Sequence, residues 1–315
     1  MEARIALETR TCYLHVGTHK TGSTSIQAFI TMNASAFSKV GLLVPNSGRS
    51  RSLFGHDICG HHNIAWQLNN DARFTRGDGT LDELLSEMTA SPLPACVVSS
   101  EDFEYLHALP EVLGRLAEDF RRANYRVQPI VVLRNRASYA ESLYAELIKH
   151  GLRVPFSRFM QTIFEDGAFT HMANWRFAFE YSRLINVLEN VFEAIPIILT
   201  YDDMRDSSDL LLCFARVVAQ GIADADLGFP PKLNPGLTFG QVLQHLGASS
   251  IDPELYPESR FQVLTSLEVQ ELRKRFAHDD AALSARYGIA FDVKCGRAPL
   301  PHEERRKALE DFNGL

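Results

Sequence analysis

Leu14-His15-Val16-Gly17-Thr18-His19-Lys20-Thr21-Gly22-Ser23-Thr24-Ser25-Ile26-Gln27 leads from an apolar run at 12–16, through a glycine-containing turn, into an amphipathic stretch over 25–37. A strand, a turn and a helix N-terminus in that order gather backbone N–H groups and the positive end of a helix dipole around one point, which makes a cradle for an anion. Measured against the nucleotide loop G-x-x-x-x-G-K-S/T, Gly17 and Gly22 take the glycine places and Thr24 the hydroxyl place. Ser23, however, stands where the lysine belongs, and the lysine is three residues earlier, at Lys20. The usual lysine reaches the β/γ-phosphates beside Mg²⁺. A lysine inside the turn lies near the first phosphate and the oxygen that bridges it to a transferred group. Thr18, His19, Lys20, Thr21, Gly22, Ser23, Thr24 and Ser25 are therefore the candidate anion-binding residues.

Outward from this loop, short runs rich in Val, Ile and Leu recur at 42–44, 95–99, 129–133 and 195–200, with amphipathic stretches at 112–123, 139–149 and 174–192. Continuous apolar runs alternating with helical periodicity read as buried parallel strands in an α/β architecture. The expectation is a three-layer P-loop fold with a central five-stranded parallel sheet, helices on both faces, and helical insertions. We expect one domain over 1–315, with a core at about 12–203. The long connections at 45–94 and 151–172 are expected on the acceptor side of the site. The part after 203 reads as helical, with a helix near 207–220, a Gly/Pro-rich crossing at 228–236, a long pattern over 267–287 and a polar surface helix at 299–315.

A second motif starts at the fourth run. Pro129-Ile130-Val131-Val132-Leu133-Arg134 is a buried strand ending in an arginine, and Ser142 follows eight residues later on a helix. Arginine offers a planar fork to a dianionic phosphate, and the serine adds a hydroxyl donor. Both Lys20 and Arg134 then lie at strand carboxyl ends, the ligand edge of an open parallel sheet.

The first loop resembles the 5′-phosphosulfate loop of sulfotransferases that use 3′-phosphoadenosine 5′-phosphosulfate (PAPS), and Arg134 with Ser142 resembles their 3′-phosphate motif. Weaker similarity to bacterial sulfotransferase-like proteins extends over Ile197-Ile198-Leu199-Thr200-Tyr201-Asp202-Asp203 and Phe276-Ala277-His278-Asp279-Asp280. The resemblance implies PAPS as co-substrate, no required metal, and a small-molecule or carbohydrate acceptor. Lys20 would stabilise the leaving oxygen. For the base that takes the acceptor's proton, the residues offer His56, His61, His62 and Glu101. A histidine near pKa 6.5 suits the task at neutral pH. Heparan 2-O- and 6-O-sulfotransferases use a histidine in a similar stretch, and other carbohydrate sulfotransferases use a glutamate. Each candidate also has a structural reading: a histidine packed on Trp66 or capping the next helix, a glutamate starting a helix or holding Lys20.

His56, Cys59, His61 and His62 are too crowded for a zinc site and lack a second ligand pair, so no metal is expected. Five cysteines without a CxxC pair fit reduced thiols, and no run approaches the length of a membrane span. The expected location is cytoplasmic. Net charge of −7 argues against a nucleic-acid-coating surface. The charge is uneven: residues 115–153 hold eight Lys/Arg against four Asp/Glu, so the basic segment surrounds the Arg134 motif. This favours a small anion held locally and disfavours a heavily sulfated acceptor. Two other readings stay open: a kinase or NTPase using ATP and Mg²⁺, with Asp102 or Asp202 as the metal-ordering acid, and a non-catalytic nucleotide-binding protein that works through partners.

Overall fold

A computed structural model describes residues 9–49, 60–202, 207–231, 236–247, 261–291 and 309. Strand β1 (Arg10–His15) leads through the loop to α1 (Ser23–Met32) and α2 (Ala34–Lys39), then β2 (Leu42–Leu43). Helices α3 (His62–Leu68) and α4 (Leu81–Ala90) precede β3 (Ala95–Ser99), and α5 (Pro110–Arg122) precedes β4 (Tyr125–Leu133). Next come α6 (Arg136–Lys149), α7 (Phe156–Asp166), β5 (Ala168–His171), β6 (Trp175–Ala178), α8 (Tyr181–Phe192) and β7 (Ile197–Thr200). The chain then adds α9 (Ser207–Val218), α10 (Phe239–His245) and α11 (Ser266–Tyr287).

Five strands form a parallel sheet in the order β2-β3-β1-β4-β7. Successive side chains of a strand point to opposite faces, and both faces here are apolar, so both must be covered. Cys12, Leu14, Val98, Val131 and Leu133 join a core beneath α5, α6 and α8, while Val97, Ile130 and Val132 pack with Phe29, Phe37 and Phe214 of α1, α2 and α9. The expected architecture of a parallel sheet between two helical layers is therefore present.

Two local expectations need correction. The stretch at 25–37 is two helices, because Asn33 breaks it: its amide donates to the Phe29 and Gly228 carbonyls. The connection at 151–172 holds α7 and β5, and 174–192 is not helical throughout. Its first residues pair as β6 with β5 in an antiparallel hairpin, where Trp175 and Phe177 turn inward and Arg176 outward. The expected tail helix at 299–315 lies outside the described residues apart from Leu309, which is buried.

The long C-terminal helix is fastened to the core by a buried arginine. Arg136 donates to both Asp279 and Asp280 of α11 and to the Phe179 carbonyl, and Asp279 also accepts the Tyr181 and Ser182 N–H groups at the start of α8. Among the described residues, no helix is long and apolar enough to cross a membrane.

Candidate active site

The carboxyl ends of β1, β3 and β4 converge on the loop after β1. Gly17 has φ 77°, and a Cβ there would come within 2.8 Å of the Glu101 Cα and Cβ, so only glycine lets the end of β3 pack onto the loop. Gly22, at φ 83°, is the N-cap of α1. No side chain caps this helix, and its first turn holds no acid. The first-turn N–H groups, which have no intrahelical acceptor, thus face the loop with the positive helix end behind them.

The loop's side chains divide into two sets. Thr18 gives its N–H and its hydroxyl to the Val132 carbonyl, at 3.1 Å each, and the Thr21 hydroxyl donates to the Thr18 carbonyl. His19 turns inward: its N–H and Nδ1 meet Glu104 Oε2 at 3.0 and 2.7 Å, and Nε2 meets Asp102 Oδ1 at 3.0 Å. Thr18, His19 and the Thr21 hydroxyl, all expected to contact an anion, are therefore committed to protein partners. Lys20, the Thr21 backbone and Gly22 to Ser25 are the part of the loop for which anion binding remains an expectation.

His19 is one link in a buried chain of alternating charge. Asp71 holds Arg73 in a two-pronged contact at 2.9 and 2.7 Å, and Arg73 lies 3.3 Å from Asp102 Oδ2. Asp102 also receives the Trp66 indole N–H, and Glu104 receives Tyr139 at 3.2 Å and the Ala178 N–H at 2.8 Å. The Arg73 guanidinium lies 4.6 Å from the Trp66 ring centre and 4.2 Å from that of Trp175. Burial alone would lower the His19 pKa, but hydrogen bonds to Asp102 and Glu104 raise it to about 10, so the ring is cationic at neutral pH. Burial likewise pushes the Asp102 carboxyl up, and His19 and Arg73 outweigh it, leaving the group well below its ordinary range. With both oxygens engaged, Asp102 is poorly placed to order Mg²⁺. Asp202 is engaged too, accepting the Asn135 N–H.

Lys20 sits at φ 62° with its carbonyl accepting from Arg134 at 2.9 Å, so the two motifs read from sequence are in direct contact. The Lys20 Nζ pairs with Glu146 at 2.9 Å. The Arg134 guanidinium lies 5.0 Å from the Tyr201 ring centre. Ser142 is half-buried on α6, one turn before Glu146.

The three base candidates within the described residues differ sharply. His61 Nδ1 accepts the Ser99 N–H at 3.1 Å, and Nε2 donates to the Pro45 carbonyl at 3.2 Å. Its N–H also donates to the Ser99 carbonyl at 2.7 Å, so the residue is tied to the end of β3 by backbone and side chain. Burial, with the charge of Arg49, lowers its pKa to about 3, and it stays neutral. His62 is stacked on Trp66, with Nδ1 2.8 Å from the Ser100 hydroxyl and Nε2 3.9 Å from Glu101 Oε2. Glu101 accepts the Gln27 amide at 2.6 Å. Burial pushes its carboxyl up, but His62 and His19 outweigh this and hold it below the ordinary range. Gln27 was not singled out in the sequence, although its place three residues after Thr24 puts it on the loop-facing side of α1. His56 and Cys59 lie outside the described residues.

Replacing His61 with alanine should strand the buried Ser99 N–H, at a cost of about 1–3 kcal/mol in urea unfolding. A loss below about 0.5 kcal/mol would contradict the structural role given to it.

No family model matches the chain, and no curated protein matches it by sequence. Its fold does match a solved structure, a sulfotransferase from Alicyclobacillus acidocaldarius, with a TM-score of 0.51 over 90% of this chain and 97% of that one. The chain has the fold of a sulfotransferase. Identity between the two is 14%, so the likeness is one of architecture, and the chemistry has to be argued from the residues themselves.

Proposed function

We propose that this protein is a sulfotransferase that moves a sulfuryl group from PAPS to an acceptor hydroxyl and releases adenosine 3′,5′-bisphosphate. The observation that carries the reading is the contact between Lys20 and Arg134: a lysine inside the loop, with its carbonyl held by the arginine that ends β4. The donor set fits PAPS. It consists of an uncapped helix start, the hydroxyls of Ser23, Thr24 and Ser25, and the cations Lys20 and Arg134. The loop with Gly22 to Ser25 would hold the 5′-phosphosulfate, and Arg134 with Ser142 the 3′-phosphate. When bound, PAPS supplies the activated sulfuryl group.

Lys20 places a positive charge beside the oxygen on which negative charge grows as the S–O bond breaks. Glu101 is our choice for the proton acceptor. It is ionised at neutral pH, stands at the end of β3 against Gly17, and is oriented by Gln27, with His62 beside it. His61 is assigned to structure, since both its ring nitrogens are committed to the backbone. The acceptor is a carbohydrate or other small neutral molecule, met by the segments 45–94 and 151–172, and the enzyme works in the cytoplasm as one domain without a metal.

Adenosine 3′,5′-bisphosphate should raise the melting temperature, by on the order of 2.7 kcal/mol of stabilisation at 100 times its Kd. ATP with Mg²⁺ should do so much less. The reverse order in a thermal-shift titration would replace this reading with the kinase one.

A further inference from the structure

Glu146 stands out because it meets two lysines and a histidine at once. Its Oε2 lies 2.9 Å from Lys20 Nζ, while its Oε1 lies 2.6 Å from Lys149 Nζ and 3.6 Å from His150 Nε2. Burial pushes this carboxyl up, but His150, Lys20 and Lys149 outweigh that and keep it ionised. The pairs with Lys149 and His150 follow from helical spacing of three and four residues along α6. The pair with Lys20 joins elements 126 residues apart and is made by the fold.

We propose that Glu146 competes with the phosphate groups of the nucleotide for Lys20, and so sets how tightly the protein holds its donor and its bisphosphate product. The inference rests on the sulfotransferase reading. Ser142 and Glu146 lie four residues apart on α6 and share a face, so a group reaching Ser142 comes within one turn of this carboxylate. Two anions cannot share one ammonium group without repelling each other. Three features make the exchange easy. Lys20 is anchored through its carbonyl by Arg134, so its side chain can swing while the loop stays in place. Both side chains are 23% exposed, so water reaches the pair. Glu146 keeps Lys149 and His150 when Lys20 leaves, so no buried charge is left unpaired. An internal carboxylate of this kind weakens nucleotide binding and thereby speeds product release.

Calorimetric titration of the full chain with adenosine 3′,5′-bisphosphate tests this. Glu146→Gln, close to isosteric but uncharged, should bind about tenfold more tightly than the wild type at 50 mM KCl, and the gain should shrink at 300 mM KCl as salt screens the charge. Glu146→Asp, which keeps the charge, should stay within about threefold of the wild type, so that a mere change of shape is told apart from loss of the anion. Glu146→Gln binding no tighter than the wild type, or more weakly, overturns the inference while leaving the sulfotransferase reading intact. A wild-type protein that takes up no bisphosphate overturns both.

Discussion

Lys20→Ala should lower turnover by on the order of 10²–10³-fold while the protein stays folded. The magnitude is that of removing one preorganised charge from the place where negative charge develops. Folding should survive because the pair with Glu146 is partly exposed and such pairs contribute about 0–1 kcal/mol. Glu146 retains Lys149, and Arg134 still reaches the backbone carbonyl at position 20, so the loop keeps its anchor. Alanine also inherits the φ of 62° without a new penalty, since lysine already bears the cost of that conformation. The measurement is steady-state sulfuryl transfer from PAPS, paired with a melting curve. A variant that folds and turns over within a factor of about three of the wild type would remove Lys20 from its assigned role.

The sheet was legible because its central strands are buried on both faces. Runs such as Val131-Val132 and Val97-Val98 carry no alternation and stand out from their polar surroundings, and all five were read in their correct order along the chain. The β5–β6 hairpin is hard to read because its second strand runs almost directly into a real helix, α8. Trp175, Phe177 and Phe179 do alternate with Arg176, Ala178 and Glu180, and that period of two was the available signal. Continuity with the amphipathic pattern of α8 masks it.

At the site, the loop and Arg134 were readable because each chemical requirement sits within a few residues of contiguous sequence. The chain Asp71, Arg73, Asp102, His19, Glu104 was not, since beyond the local Asp71–Arg73 pair its links join positions 29 to 85 residues apart. Nothing local distinguishes His19 from a ligand-facing residue of the loop, nor Asp102 and Glu104 from ordinary helix-start acids. His61 and His62 are adjacent in sequence, but the start of α3 turns one toward the β3 backbone and the other toward Trp66 and Glu101. Only the fold separates the structural histidine from the one beside the candidate base.

That separation makes the assignment of the base testable. Glu101→Gln should lose about 10²–10⁴-fold in turnover, the usual contribution of a positioned general base, and His62→Ala should lose much less, because His62 acts on Glu101 across 3.9 Å. Glutamine keeps the contact with Gln27 available while removing the proton acceptor, so PAPS affinity should hardly change and the loss should fall on turnover. The pH profile gives an independent reading. A base whose pKa lies below the ordinary carboxylate range is ionised throughout neutral pH, so kcat/KM should be flat there and fall only at acid pH below that range. A histidine base would instead place the limb near 6.5. A limb near that value, lost in His62→Ala and kept in Glu101→Gln, would transfer the role from the carboxylate to the imidazole. A flat profile with the large loss confined to Glu101→Gln would fix the proton acceptor at the carboxyl end of β3, against the glycine that lets strand and loop meet.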